Sequence, residues 1–578
     1  MMQRKLSSLA CSEFDLIVVG GGIFGACAAW DATQRGLSVA LIERGDFCSA
    51  TSANSFKMIH GGIRYLQHGD LYRVRQSANA RRAMIRIAPH LVSPLGIVVP
   101  TYGHGMKGKE ILSLAMGIYD VLTFDRNYGI SDFRRHIQRG RCLSKEEMLE
   151  RFPGIETRGL TGGGIFCDGQ MYNPPRLVLA FLQTAEAAGA IISNYVEATK
   201  FILAGNRVRG VDARDVLTGE TFPIRGKIVL NAAGPHAESL LERALGRRLQ
   251  PRTLWSRDAY FVVPRRLLKG REALALPSLT KDPEALLSRG NRHLFLTPWH
   301  GYTLVGVWHK VYDGHPDGYD VTEEELEAFC KEVNAGYPSL RLSRSDISLC
   351  NAGLIPFGEN DPNAKDLKFG HRSRLVDHTR LDHLEGLVTL VGIRYTTGQC
   401  EAAKAVDLIF RKLGKDAPPS RSHMTPLLGG DFTDFESLVR AAFAELRGEA
   451  KMETVRALVH NYGSGYRRVL SYVNGRSVKA QTIGSSTVLD AEVVCAAREE
   501  MAQTLADVVF RRTDLGTGEY PGSQALETCA ELMSFELHWD EDRKKQEIEN
   551  VTARFPATGR PQEKAADWEH GQIQTVKP

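Results

Sequence analysis

One segment near the start of the chain restricts the fold more than any other. Phe14-Asp15 opens a run of four apolar residues, Leu16 to Val19, that passes straight into Gly20-Gly21-Gly22-Ile23-Phe24-Gly25. An unbroken apolar run of this kind is the mark of a strand covered on both faces. Ala26 to Arg35 follows as a helix, Gly36 stops it, and Leu37 to Ile42 forms a second strand ending at Glu43. The unit is a strand, a crossover helix and a parallel strand in about 30 residues. Its chemistry is legible from the spacing. Gly20 makes a tight turn, Gly22 lets the backbone approach a pyrophosphate, and Gly25 lets the helix pack closely on the strand. The helix N-terminus then offers its free N–H groups to the anion. Glu43, 18 positions beyond Gly25, is placed for ribose hydroxyls, with Arg44 beside it.

The rest of the chain extends this pattern. A helix is predicted over 176–189, a hairpin around Arg207–Val211, and buried strands at Lys227–Asn231 and Leu387–Val391, each leading to a glycine. Strand-like runs at Tyr260–Val263, His293–Leu296 and Tyr302–Val307 predict a second sheet. Lys415-Asp-Ala-Pro-Pro-Ser-Arg-Ser422 has linker chemistry, and the chain beyond it turns helical. The polar stretch from 554 to 578 lacks periodicity and is expected to be disordered. With 73 basic and 68 acidic residues the net charge is +5, too balanced for a protein that lives on nucleic acid. The ten cysteines include no CxxC pair and no cluster at metal-ligand spacing, so no metal and a reduced, cytoplasmic compartment are expected. No apolar run approaches the length of a membrane span.

A second signature follows the first. Cys48 to Leu66 reads C-S-A-T-S-A-N-S-F-K-M-I-H-G-G-I-R-Y-L. The hydroxyls of Thr51, Ser52 and Ser55 suit phosphate oxygens, and His60-Gly61-Gly62 gives backbone N–H groups room beside a flat ring. Here the sequence resembles the FAD-dependent glycerol-3-phosphate dehydrogenase family, which carries T-S-x-x-S-x-K-x-I-H-G-G-x-R-Y-L after its glycine loop. Further matches run from about 14 to about 516, among them Ala88–Leu95, Asp168–Met171 with Arg176, Asn231–Pro235, Thr297-Pro-Trp299, Thr396-Thr397 and Arg511-Arg512-Thr513. The resemblance implies an α/β fold. Its FAD-binding Rossmann-like domain, of the glutathione-reductase or D-amino-acid-oxidase type, would span about 14–105, 160–250 and 370–413. An antiparallel substrate domain would occupy about 250–370, and an all-α C-terminal domain 425–550.

The resemblance also assigns roles. It adds Val196, Gly234, Gly392 and Thr397 to the FAD-binding set, and Arg64, Tyr65, Arg394 and Thr396 to the substrate set. Arg64, Tyr260 and Arg394 stand at the catalytic positions. It implies transfer of a hydride from the secondary alcohol of sn-glycerol 3-phosphate to flavin N5, giving dihydroxyacetone phosphate, with electrons passed to a quinone or another acceptor. Three positions depart from the family: Tyr260 replaces a pocket His, Ile355 a phosphate-binding Arg, and Arg394 a Lys. Loss of an Arg that grips a buried phosphate costs about 2–5 kcal/mol. Two readings therefore stand beside the first. Either Arg257, His309 or Arg344 compensates for the lost Arg, or the substrate is another small polyol, hydroxy acid or glycerol derivative. A third is a catalytically silent flavin-binding paralogue. Ile111, Leu112, Ala115, Met116, Ile118, Tyr119 and Leu122 recur at helical spacing, suited to the core or to a membrane interface. Peripheral contact with the inner face of the cell membrane and a homodimer are the associations the resemblance allows.

Overall fold

The computed structural model describes residues 2–105, 108–249, 253–281, 291–356, 373–474 and 480–556. Its first sheet has eight strands. Five run parallel, in the order Leu387–Val391, Thr221–Asn231, Glu13–Val19, Val39–Ile42 and Ile191–Ser193. Alternation along the opening strand explains its unbroken apolar run. Leu16 and Val18 enter a core with the helices Ile23–Gln34, Pro174–Ala187 and Gly398–Lys412. Ile17 and Val19 enter the opposite core, beneath the hairpin Val196–Ala204/Arg207–Asp215 and the helix Ala237–Leu245. Both faces are covered, so both parities must be apolar. Val19 stands level with Asn231 and Ile42, so three strands end together and open a crevice at their carboxyl ends.

The second sheet has nine strands and is antiparallel apart from the pair Val92–Tyr102 with Ala273–Lys281. The division differs from the sequence reading. Val92–Tyr102 and Leu160–Met171, expected in the FAD-binding parts, pair with each other inside this second sheet, and Met58–Ile59 joins its edge. Pairing between strands about 60 residues apart leaves no local trace in the sequence.

Six helices of eight or more residues, from Phe435–Glu445 to Glu541–Thr552, build the C-terminal part. Two charged contacts lock it to the first sheet's domain. Asp46 accepts from Arg511 Nε at 2.6 Å and from Arg512 Nη1 at 2.7 Å, all three side chains being buried. Burial pushes the Asp46 carboxyl up, but the charges of Arg512 and Arg511 outweigh it and hold it at about 2. Arg176 meets Glu500 at 2.6 Å in the same interface. Arg511-Arg512 is thus an interdomain tie, not a solvated pair. The linker is also tied down: Ser422 is fully buried and donates to Asp31 at 2.7 Å. Of the tail, Phe555 is buried against Phe510 and Tyr520, while 557–578 lie outside the described residues.

Candidate active site

A cleft of about 460 Å³ opens at the carboxyl ends of the parallel strands. Gly20, Gly22, Glu43, Arg44, Thr51, Ser52, Val196, Gly234 and Gly392 all line it. The glycines act as the spacing required. Gly20 has φ +113°, and a Cβ there would stand 2.6 Å from Ala232 O. A Cβ on Gly25 would overlap the Gly20 carbonyl oxygen, which is why helix and loop approach so closely. Gly22 is the helix N-cap, and the one atom near its missing side chain is Ser52 Oγ, which accepts from Ile23 N–H at 3.1 Å. Glu43 accepts from the Gly21 amide at 2.6 Å and the Gly45 amide at 2.9 Å, and burial raises its pKa. Val196 gives its N–H to Glu43 O at 2.8 Å, so only the rest of its backbone is available to a ligand. Ser55, predicted with them, does not line the cleft; its Oγ is buried without a hydrogen-bond partner among the described residues.

Sequence reasoning missed the far wall. Asp317 and His315 reach the cleft from the loop after the second sheet's strand Tyr302–Tyr312. Asp317 meets Arg44 at 3.1 Å and His236 at 3.4 Å, a bridge that joins the second sheet's loop to the cleft wall beside Glu43. Phe24 was also missed: its ring presses on Gly392, where any Cβ would overlap it.

Just after Gly392 in the chain, two loops meet. Thr396 Oγ1 accepts from the His60 amide at 3.1 Å, and Arg394 Nη1 donates to Tyr65 OH at 2.9 Å. Thr397 is buried as the cap of the next helix and donates to Arg394 O. Arg64 is half-buried in the same short helical turn as Tyr65. Beneath them Asp168 accepts from the Gly61 amide at 2.7 Å and from Arg81 Nη1 at 2.8 Å, and its other oxygen meets His60 Nδ1 at 3.2 Å. Burial raises the Asp168 carboxyl, but the His60 hydrogen bond and the Arg81 charge prevail and hold it below the usual carboxylate range. A Cβ on Gly61 would overlap the Arg81 guanidinium and the Tyr119 hydroxyl, and Gly62 has φ +88°.

Tyr260 does not join these residues. It is 1% exposed, lies off the cleft, accepts from Lys57 Nζ at 2.6 Å, and packs edge-on to Phe56. Burial raises its pKa further, which removes it as a base at neutral pH. Ile355 lies between Leu354 and Pro356, which line the cleft, so strand alternation turns it to the other face. The candidate replacements are committed elsewhere: Arg257 to Glu325 at 2.6 Å, Arg344 to Glu323, and His309 to Asp258 at 2.8 Å.

The family model for FAD dependent oxidoreductases matches residues 15–407, and that for the C-terminal domain of alpha-glycerophosphate oxidase matches 420–544. The mitochondrial glycerol-3-phosphate dehydrogenase of Mus musculus is 31% identical over 93% of this chain and 73% of its own length. The chain belongs to the FAD-dependent glycerol-3-phosphate dehydrogenase family. Another family member, from Synechocystis sp., is 29% identical over 94% of this chain and 97% of its own. The crystal structure of the Bacillus halodurans glycerol-3-phosphate dehydrogenase complexed with FAD superimposes with a TM-score of 0.73, at 25% identity, covering 95% of each chain. The chain is an FAD-dependent oxidoreductase, and FAD is its cofactor. The glycine N-cap, which carries no capping side chain, and the close-packed glycines fit that group.

Proposed function

We propose that the protein oxidises sn-glycerol 3-phosphate to dihydroxyacetone phosphate and delivers the electrons to a quinone. The observation that carries the reading is the meeting of two pairs, His60–Asp168 and Arg394–Tyr65, on loops joined by the His60–Thr396 hydrogen bond. FAD supplies the hydride acceptor, flavin N5; the protein supplies everything else. Helix N-terminus, Gly22 and Ser52 take the pyrophosphate, and Glu43 the ribose. Arg394 and Arg64 meet the substrate phosphate, for which a guanidinium fork is suited by geometry.

His60 is the proton acceptor for the substrate hydroxyl. Its ring is half exposed, and with Nδ1–H donated to Asp168 the lone pair stands on Nε2, away from the carboxylate. Asp168, fixed by Arg81 and the Gly61 amide, sets that orientation. Anaerobic addition of glycerol 3-phosphate at millimolar concentration or below is expected to bleach the bound flavin. Bleaching only by another polyol or hydroxy acid would overturn the substrate, and silence across such a panel would overturn the enzyme reading.

The quinone acceptor draws support from the surface. No helix among the described residues is long and apolar enough to cross a membrane. The helix Lys109–Leu122 buries Leu112, Met116 and Tyr119 and turns Leu114, Ile118 and Val121 outward, followed by Phe124, Tyr128 and Phe133. Val121 and Phe124 are 74% and 82% exposed. The buried face fits the core reading, and the exposed apolar face supports an interfacial one. Exposed Leu71 and Tyr72 and the cationic Arg134, Arg139 and Arg141 belong to neighbouring segments, a composition suited to an anionic lipid surface. Burying a Val or Phe side chain is worth about 1.5–3 kcal/mol. The double variant Val121→Asp/Phe124→Asp is therefore expected to lose vesicle binding by about 100-fold or more. Equal co-sedimentation of both proteins with phosphatidylglycerol-containing vesicles would refute the lipid-facing role.

A further inference from the structure

Behind the loop that faces the cofactor cleft lies a second, smaller cavity of about 40 Å³. Ser49 lines both spaces, so the 49–57 loop is the wall between them. Three parts of the molecule close it: that loop, the second sheet through Trp299 and Asn351, and the C-terminal part through Arg511, Thr517 and Arg554.

Its lining holds three cations, Lys57, Arg511 and Arg554, and among the described residues no carboxylate. Arg511 is answered from its other side by Asp46 and Asp507. Arg554 stands 4.5 Å from the Phe510 ring centroid and makes no ion pair among the described residues. Lys57 is 5% exposed, donates to the neutral Tyr260 hydroxyl, and otherwise faces the Trp299 and Tyr260 rings at 4.7 and 4.9 Å. Asp514 acts on it through space but is itself engaged by Asn173 and Asn461. A buried ammonium with no carboxylate in direct contact is costly, and burial outweighs the pull of Asp514, bringing Lys57 down to about 7. Such an arrangement is stable when a mobile counter-ion shares the space.

The geometry points to a structural oxyanion site: a single inorganic phosphate, held by Lys57, Arg554 and the Asn351 side chain, clasps the three domains behind the flavin loop. Size narrows the class. A water needs about 10–15 Å³ of such space, so the cavity holds about three waters, or one tetrahedral ion, and has no room for a glycerol backbone. The site is therefore separate from the substrate site at Arg394 and Arg64, and the inference does not depend on the substrate.

The test uses full-length, FAD-loaded protein titrated with orthophosphate by calorimetry at constant ionic strength, with thermal unfolding in parallel. One phosphate per chain is expected, with a rise in the unfolding temperature. Arg394→Gln, which disarms the substrate site, should leave that binding in place. Asn351→Asp puts a like charge against the ion and should weaken it by about tenfold or more. Arg554→Gln, on the exposed side, gives the same readout if Asn351→Asp does not fold. No phosphate binding by folded wild-type holoprotein would overturn the site. So would binding that disappears with Arg394→Gln yet survives Asn351→Asp and Arg554→Gln.

Discussion

Gly25→Ala is expected to purify colourless. The added Cβ would overlap the carbonyl oxygen of Gly20, a backbone atom that cannot swing aside. Relief requires the helix Ile23–Gln34 to move off the opening strand, and its N-terminal amides move with it. Those amides are the anion site, so a shift of about an ångström removes hydrogen bonds that depend on alignment. FAD affinity should fall by about 100-fold or more, equivalent to about 2.7 kcal/mol. Absorbance near the flavin band per mole of chain, before and after reconstitution, reads the result. Gly36→Ala is the control. Its φ is +89° with nothing within 4 Å of the added carbon, so it should cost about 1–2 kcal/mol of stability and leave the flavin in place. A fully yellow Gly25→Ala protein with wild-type affinity would show that close packing at this turn does not hold the cofactor.

Replacing His60 by Asn should do the reverse: keep the colour and remove the chemistry. The Asn side chain retains a donor for Asp168 but has no basic nitrogen. General-base catalysis contributes about 10²–10⁴-fold, so flavin reduction by glycerol 3-phosphate should slow by that factor. FAD content and thermal stability should stay near wild type, because the ring is half exposed while the Asp168–Arg81 pair beneath it remains. A rate within about threefold of wild type would remove His60 from the reaction.

Tyr260 shows where a linear reading fails. The family resemblance placed it in the pocket, at the position of a His. The strand Trp255–Val263 keeps its alternation throughout, but the face that carries Tyr260 is covered by Phe56 and Lys57, about 200 residues earlier in the chain, which no local pattern announces. Its ring instead points into the core shared with the C-terminal helices. Asp168 was missed as a partner for the opposite reason. Its motif was visible, but it stands 108 residues from His60, and only the pairing of Ile59 with Gly169 brings the two together.

The chain's local order determined the cofactor. Strand, glycine turn, helix and acidic strand end form one unit of about 30 residues whose geometry follows from steric rules between near neighbours, and Thr51 and Ser52 followed from the same segment. Tertiary structure alone decided which strands share a sheet, which face Tyr260 shows, that Asp317 closes over Arg44, and that Arg394 meets Tyr65. Those contacts join residues hundreds of positions apart, where the free energy lies in packing and charge between segments and leaves no period in either one.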